Sequence, residues 1–197
     1  WDVRLKIKKF GERDYEDVFL DPSTFTKEGN IGHFAPVVTP FSNNTFLWSW
    51  TASNIPDASG ENGIPAVHVA EYDNSGELIR EILNLRSESE VGRVAVETNN
   101  DGILLVSYMI KDPGNDKVEY VILDASSDTP VFIVDKSPIE QNTGGITDPV
   151  IAQRGDGFLL ITSEKLYSID PQDNYQANEL LSFNLPGICN FLLPVGN

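Results

Sequence analysis

Short apolar runs separated by polar turns extend along the whole chain, and helical periodicity is nearly absent. The runs are rich in aromatic and β-branched residues, as in TFLWSW at 45–50, ILLVSYMI at 103–110 and FLLITS at 158–163. Each of these three runs follows a turn signal of Asn, Asp, Ser or Gly. The pattern predicts an all-β protein with about 15 strands. Only residues 88–97 could form a brief helical turn, and Gly92 disfavours it.

A four-strand pattern, a–b–c–d, occurs three times with a period of about 55 residues. Asn44, Asp101 and Asp156 occupy the same polar turn between strands a and b, 57 and 55 residues apart. A second polar turn joins strands c and d. The units span 35–85, 92–136 and 148–185. Their predicted strands are 35–41, 45–50, 64–73 and 78–85, then 92–98, 103–110, 117–124 and 130–136, then 148–153, 158–163, 165–170 and 177–185.

The two ends of the chain fit the same pattern as parts of a split unit. Residues 1–21 are interpreted as strands c and d, and residues 187–197 as strand a. We therefore expect residues 1–197 to form one domain, either by themselves or as a fragment of a larger one. We also expect another polypeptide, or further units of the same parent chain, to meet the terminal edges, because an unpaired apolar strand invites association.

Four-stranded meanders with this period resemble the blades of a β-propeller. The segment LYSIDP at 166–171 is similar to the third strand of several propeller repeat families. The resemblance is architectural, because the Trp-Asp, kelch and Asp-box signatures are absent. Near-continuous apolar b strands fit blades that are covered on both faces, and more charged d strands fit an exposed outer edge. A β-sandwich or lectin-like jelly roll is the alternative fold.

The tripeptide Arg154-Gly155-Asp156 matches an integrin-binding signal, but it occupies the a–b turn of the third unit. Glycine there supplies a positive φ, and Asp or Asn bonds to the turn backbone. The repeat therefore explains this tripeptide as turn chemistry.

The composition restricts the partners. With 14 Lys and Arg against 30 Asp and Glu, the chain carries a net charge of −16. Such a surface repels phosphate backbones and anionic membranes, so we expect a soluble protein that does not bind nucleic acid. No apolar run is long enough to span a bilayer. Cys189 is the single cysteine and is interpreted as a small buried residue.

Four polar residues at or near the ends of the inner strands form the candidate binding site. If the propeller interpretation holds, His33, Arg93, Asp148 and Asn190 surround the mouth of the central channel and form a polar ring. His68 lies in the middle of a strand and is interpreted as a structural residue. Trp48 and Trp50 share one face of their strand, which favours aromatic packing between blades, with a stacking platform for a glycan as the alternative.

Calcium is the one metal that the turns suggest. Asp101 and Asp156 lie in oxygen-rich turns, and hard cations prefer oxygen ligands. With two histidines and one cysteine without close spacing, the sequence does not predict a zinc site.

The features above favour a non-catalytic binding or protein-interaction module within a larger extracellular or cell-surface protein. We identify no nucleophile elbow, P-loop or dinucleotide fingerprint and predict no catalytic residue. Two alternatives stay open because the fold does not decide function. One is a propeller enzyme such as a glycosidase, lyase or lactonase, and the other is a structural subunit that assembles through its open edges.

Overall fold

Antiparallel β-structure makes up most of the chain. The computed structural model describes residues 4–7, 16–19, 32–42, 44–53, 64–112, 116–142, 148–162 and 165–182. Across these ranges the chain has fourteen strands and a 3-10 turn at Pro171–Asp173, and it has no α-helix. The predicted all-β class is therefore confirmed. Residues 88–97 do not form a helical turn, since most of them belong to a strand that tolerates Gly92.

The first compact unit comprises Trp1–Glu88. Its first two strands, β1 (Arg4–Ile7) and β2 (Glu16–Phe19), pair with each other in antiparallel fashion, as predicted for the N-terminal c–d pair. The next four strands form an antiparallel sheet in chain order: β3 (Gly32–Ser42), β4 (Thr45–Ser53), β5 (Ala66–Asp73) and β6 (Leu78–Arg86).

The second compact unit comprises Ser89–Asn197 and contains two four-stranded antiparallel sheets. Each sheet is again a meander in which neighbouring strands follow one another in the chain. The first consists of β7 (Glu90–Thr98), β8 (Ile103–Lys111), β9 (Asp116–Asp124) and β10 (Val131–Asn142). The second consists of β11 (Val150–Arg154), β12 (Gly157–Ile161), β13 (Lys165–Ile169) and β14 (Ala177–Ser182).

The three sheets correspond to the three predicted a–b–c–d units. The b strands β8 and β12 each pair with their own a and c strands, and both consist mostly of buried residues, as predicted. Asp101 and Asp156 both lie in a–b turns. The predicted strand at 187–197 lies outside the described residues.

The Arg-Gly-Asp segment forms the predicted tight turn. Arg154 pairs with Gly157, so that only two residues connect β11 to β12. Gly155 has a φ of +58°, a conformation that residues with a side chain rarely adopt. The predicted tight turn, with a glycine at positive φ, is thus confirmed for this tripeptide.

One apolar core joins the two sheets of the second unit. Strands β8 and β9 contribute Leu105 and Ile122, and β12 and β13 contribute Phe158 and Ile169, all fully buried. Tyr120, in the same core, donates a hydrogen bond from its hydroxyl to the Tyr175 carbonyl oxygen over 2.9 Å. Tyr175 and its neighbour Asn174 both have a positive φ, which costs about 1–2 kcal/mol per residue. The tyrosine bond helps to hold this unfavourable turn in place.

The first unit has an aromatic core on the sheet β3–β6. Trp48, Trp50 and Tyr72 are almost completely buried there. Trp50 stacks on His68 with ring centroids 5.0 Å apart, and Trp48 lies 5.4 Å from Trp50. Burial raises the pKa of Tyr72 to about 12. Core packing is therefore confirmed for the tryptophans and for His68. The glycan platform is wrong for the two tryptophans because neither indole ring is exposed.

Gly157 provides the closest approach between β12 and the end of β13. A Cβ atom at this position would lie 2.6 Å from the Ile169 carbonyl oxygen and would overlap the Asp170 side chain. We expect Gly157→Ala to lower the free energy of unfolding by about 3 kcal/mol, because the clash is largely with backbone. Gly155→Ala is the control in the same turn, since its Cβ would meet nothing within 4 Å and only its positive φ is unfavourable.

The control should cost about 1 kcal/mol. Urea unfolding of both variants measures the difference. Equal losses would show that β12 and β13 separate easily at this point.

Candidate interaction surface

The structure brings together two of the four residues predicted at the channel mouth. The Arg93 backbone N–H donates to Asp148 Oδ1 over 3.3 Å, and Arg93 Nε lies 3.5 Å from Asp148 Oδ2. Next to Arg93, a Cβ at Gly92 would crowd Met109, with Cε at 2.8 Å and Cβ at 3.2 Å, and it would make only an ordinary contact with Asp148 Oδ1 at 3.5 Å. The ion pair is largely exposed, and pairs of this kind contribute at most about 1 kcal/mol.

The other two members of the predicted ring are not placed in a site. His33 lies in β3, where its backbone pairs with Ala52. Asn190 lies outside the described residues. The polar ring therefore stays a prediction for both.

The candidate calcium residues Asp101 and Asp156 lie in two turns that Asn99 connects by hydrogen bonds. Asn99 Oδ1 accepts from the backbone N–H of Asp101 over 3.0 Å and of Ile103 over 2.9 Å, and its amide donates to the Asp156 carbonyl oxygen over 2.7 Å. The pKa of Tyr175 is raised, first by burial and then by the negative charges of nearby aspartates, namely Asp101, Asp124 and Asp156. Among the described residues, no group of three or more His, Cys, Asp or Glu is arranged to hold a metal ion. Calcium at Asp101 and Asp156 stays a prediction.

A buried polar cluster in the second unit has its own partners. The Tyr108 hydroxyl donates to Glu119 Oε2 over 3.2 Å, and Lys117 Nζ lies 2.7 Å from Glu119 Oε1. Burial, and then the negative charge of Glu119, strongly raises the pKa of Tyr108. Tyr108 therefore stays protonated as a donor, which fits a structural role.

The turns between strands c and d share a carboxylate cap in two units. Asp73 Oδ1 accepts from the Ser75 N–H and hydroxyl over 2.8 and 2.6 Å. Asp124 Oδ1 accepts from the Ser126 N–H and hydroxyl over 2.9 and 2.6 Å. These bonds favour the charged form, and they lower the pKa of both aspartates, with the serine hydroxyl as the largest cause.

The Asp124 cap gives a pH-dependent prediction. Because its pKa is lower in the folded state, its contribution to stability is present above the ordinary pKa of about 4. That contribution is lost as the pH falls through the folded pKa. Ser126→Ala should raise the Asp124 pKa towards its ordinary value and flatten the stability loss below pH ~4. Carboxyl-carbon NMR titration and acid unfolding measure both effects.

Ser127→Ala is the matched control, since the Ser127 hydroxyl donates to the Thr129 carbonyl oxygen and makes no bond to Asp124 that would shift its pKa. An equal shift of the Asp124 pKa in both variants would contradict the cap.

The last strand of each four-stranded sheet, an edge strand, exposes large apolar residues next to one another. In β6, Leu78 and Ile79 are 42% and 50% exposed, and in β10, Val131, Phe132 and Ile133 are 57%, 45% and 43% exposed. We call Leu78–Ile79 and Phe132–Ile133 the outer apolar pairs. Strand β14 also exposes Leu180 and Leu181, but Leu181 pairs with Leu166 near the start of strand c, so these residues lie at a different position of their sheet.

The outer apolar pairs occupy equivalent positions in their units. Leu78 pairs with Tyr72 and Phe132 pairs with Leu123, and each partner stands one residue before the capping aspartate of strand c. A register shift follows immediately in both strands, which leaves Ile79 and Ile133 as the extra, bulged residues. A bulge bends an edge strand and interrupts its hydrogen-bonding pattern.

Sequence reasoning missed this surface because it expected charge on the d strands. Charges are present, but the exposed apolar residues are the distinguishing feature. A signal was available, namely the apolar residues that begin directly after the c–d turn in LIRE and VFIV. Exposed residues of this size in neighbouring positions mark interaction sites more often than ordinary surface.

Similarity to known proteins assigns no family. No protein-family model matches the sequence, and no curated protein matches it significantly.

In the part of the chain that the structure describes, no helix is long and apolar enough to cross a membrane.

Proposed function

We propose that this chain is a non-catalytic protein-interaction module of the β-propeller type that binds its partner through the outer apolar pairs. The observation that carries the proposal is the recurrence of an exposed, bulged apolar pair at the same position in two units. Exposed residues that a fold does not need for its core, and that recur with the repeat, fit a binding surface.

The packing of the two sheets in the second unit supports the propeller architecture. Asp124 and Asp170 begin equivalent turns after strand c. In the shared core, Ile122 stands two residues before Asp124, whereas Ile169 stands one residue before Asp170. Side chains alternate between the faces of a strand, so opposite faces of the two sheets meet. This front-to-back stacking is what blades require, since each one repeats the orientation of the last.

One contact between these two sheets also follows the repeat. Arg93 bonds to Asp148, which stands 55 residues later at the equivalent position of the next unit. The inner strands β7 and β11 lie against each other. A rotation from one blade to the next keeps equivalent positions adjacent, whereas a jelly roll divides its strands between two sheets. The three separate meanders therefore favour the propeller over the lectin-like alternative.

Photo-crosslinking tests the proposed function. The purified chain carries p-benzoylphenylalanine at position 133, and the control carries it at position 172, an exposed position in the 3-10 turn. We expect a discrete protein adduct from position 133 in an extract of the source organism. The adduct should be lost when Phe132→Ser is added.

Two outcomes would overturn the proposal. One is the same set of adducts from both positions, which would show non-specific contact. The other is turnover of a glycan or ester substrate by the purified chain, which would favour the propeller enzyme.

A further inference from the structure

The geometry of the outer apolar pairs favours contact with a partner through side chains and not through backbone hydrogen bonds. Bulges at Ile79 and Ile133 interrupt the ladder at the point where the apolar side chains are exposed. An added strand needs a regular row of backbone donors and acceptors, and a bulge removes it. A partner can therefore cover the apolar side chains without extending the sheet.

Exposed acidic residues flank both pairs in the sequence. Exposed Glu77 and Glu81 flank the first pair in the sequence. The nearby cation Arg80 is engaged, because its Nε lies 2.7 Å from Glu71 Oε2 and both side chains are largely buried. Its positive charge is therefore compensated within the sheet.

The second pair has similar surroundings. Exposed Asp128 and Asp135 flank Phe132 and Ile133, and Lys136 is the single basic residue within four positions of the pair in the sequence. The local balance of charge is negative at both pairs, and the whole chain carries a net charge of −16. A second copy of the chain would bring like charges together, which is unfavourable.

Resting on the function proposed above, we infer that each outer apolar pair binds a cationic apolar segment of another polypeptide. Apolar side chains of that segment cover the exposed pair, and its flanking Lys or Arg residues face the surrounding carboxylates. Opposite charges at the rim of an interface select the partner and speed association, while the apolar contact supplies most of the affinity.

Isothermal titration of the full chain with synthetic peptides tests the inference. The probe is an amphipathic peptide with leucines flanked by lysines. One control peptide replaces the lysines by glutamates, and the other replaces the leucines by serines. We expect binding of the probe at two equivalent sites and at least tenfold weaker binding of each control. Raising the salt concentration should weaken binding of the probe, because charges at an exposed rim are screened.

Variants of the chain locate the binding. Phe132→Ser with Ile133→Ser should reduce the number of sites from two to one, and adding Leu78→Ser with Ile79→Ser should abolish binding. All four residues are exposed, so the variants should keep their fold, which near-ultraviolet circular dichroism checks. Leu180→Ser with Leu181→Ser is the matched control. These residues are 50% and 54% exposed, but Leu181 pairs with Leu166 at the other end of strand c, and the adjacent Glu179 is paired with Lys165 at 2.9 Å.

Each outcome has a distinct meaning. Loss of probe binding in the outer-pair variants alone supports the inference. Equal binding of the glutamate peptide, unchanged binding in the four-site variant, or no binding of the probe would each overturn the cationic partner. Binding of phosphatidylcholine vesicles through the same residues, or concentration-dependent self-association through them, would also overturn it. The proposed function has its own test. If position 133 gives a protein adduct that is lost with Phe132→Ser, the proposed function is supported even when one of these results rules out the cationic partner.

Discussion

Phe158→Ala is expected to lower the free energy of unfolding by about 3–5 kcal/mol, because it opens a cavity where two sheets meet. Phe158 is fully buried in the core that contains Leu105, Ile122 and Tyr167. Truncation of the Phe158 side chain removes apolar contacts with residues of both sheets. Guanidinium unfolding monitored by circular dichroism measures the change.

The matched control is Phe132→Ala, which truncates the same residue type at an exposed position of the same unit. It should change stability by no more than about 0.5 kcal/mol. A small effect at Phe158 would mean that the two sheets do not share one core, and it would remove the main support for front-to-back stacking.

Trp50→Ala is expected to have an effect of similar size in the first unit, about 3–5 kcal/mol. The indole ring is buried, stacks on His68 and contacts Trp48, so truncation leaves a large cavity in the aromatic core. Trp50→Phe keeps most of the apolar volume and should recover most of the loss. Thermal unfolding of both variants, followed by far-ultraviolet circular dichroism, measures the effect.

Ile79→Ala, on an exposed position of the same sheet, is the control for this measurement. A loss below about 1 kcal/mol at Trp50, together with reduced binding to a glycan array, would restore the sugar-stacking interpretation.

The repeat could be predicted from the sequence because its turns depend on local chemistry. Asp101 and Asp156 mark tight turns in which neighbouring glycines have positive φ, and such turns require particular residue types. The long apolar b strands could be predicted for a similar reason, since burial on both faces needs a continuous apolar run. Each of these two signals depends on residues that lie close to one another in the chain.

The features that were missed depend on residues that are distant in the chain. Asn99 donates to the Asp156 carbonyl oxygen across 57 residues, and no local pattern indicates which turn it reaches. The bulges at Ile79 and Ile133 arise from the fit between two strands, and alternation within one strand does not show them. Strand β10 extends past the predicted end at 136 through Pro138, since an outer strand tolerates a missing N–H donor.

The candidate site could be predicted only in part, for a related reason. Arg93 and Asp148 meet at positions 55 residues apart, and the repeat register made that meeting foreseeable. The outer apolar pairs were overlooked because the apolar composition of a strand does not distinguish a buried position from an exposed one. Phe132 and Phe158 are the same residue type, and only the sheet packing separates a surface contact from a core one.

The order of strands within each sheet has a consequence for how the chain folds. All three four-stranded sheets are meanders, so every ladder closes a short stretch of chain and loses little entropy on closure. Sheets with such local pairing nucleate from hairpins, which form within microseconds. During synthesis, each sheet can pair all four of its strands as soon as the last one leaves the ribosome, at about 5–20 residues per second. Within these sheets, no strand has to wait for a partner from a later repeat, which shortens the time that its edges stay open to aggregation.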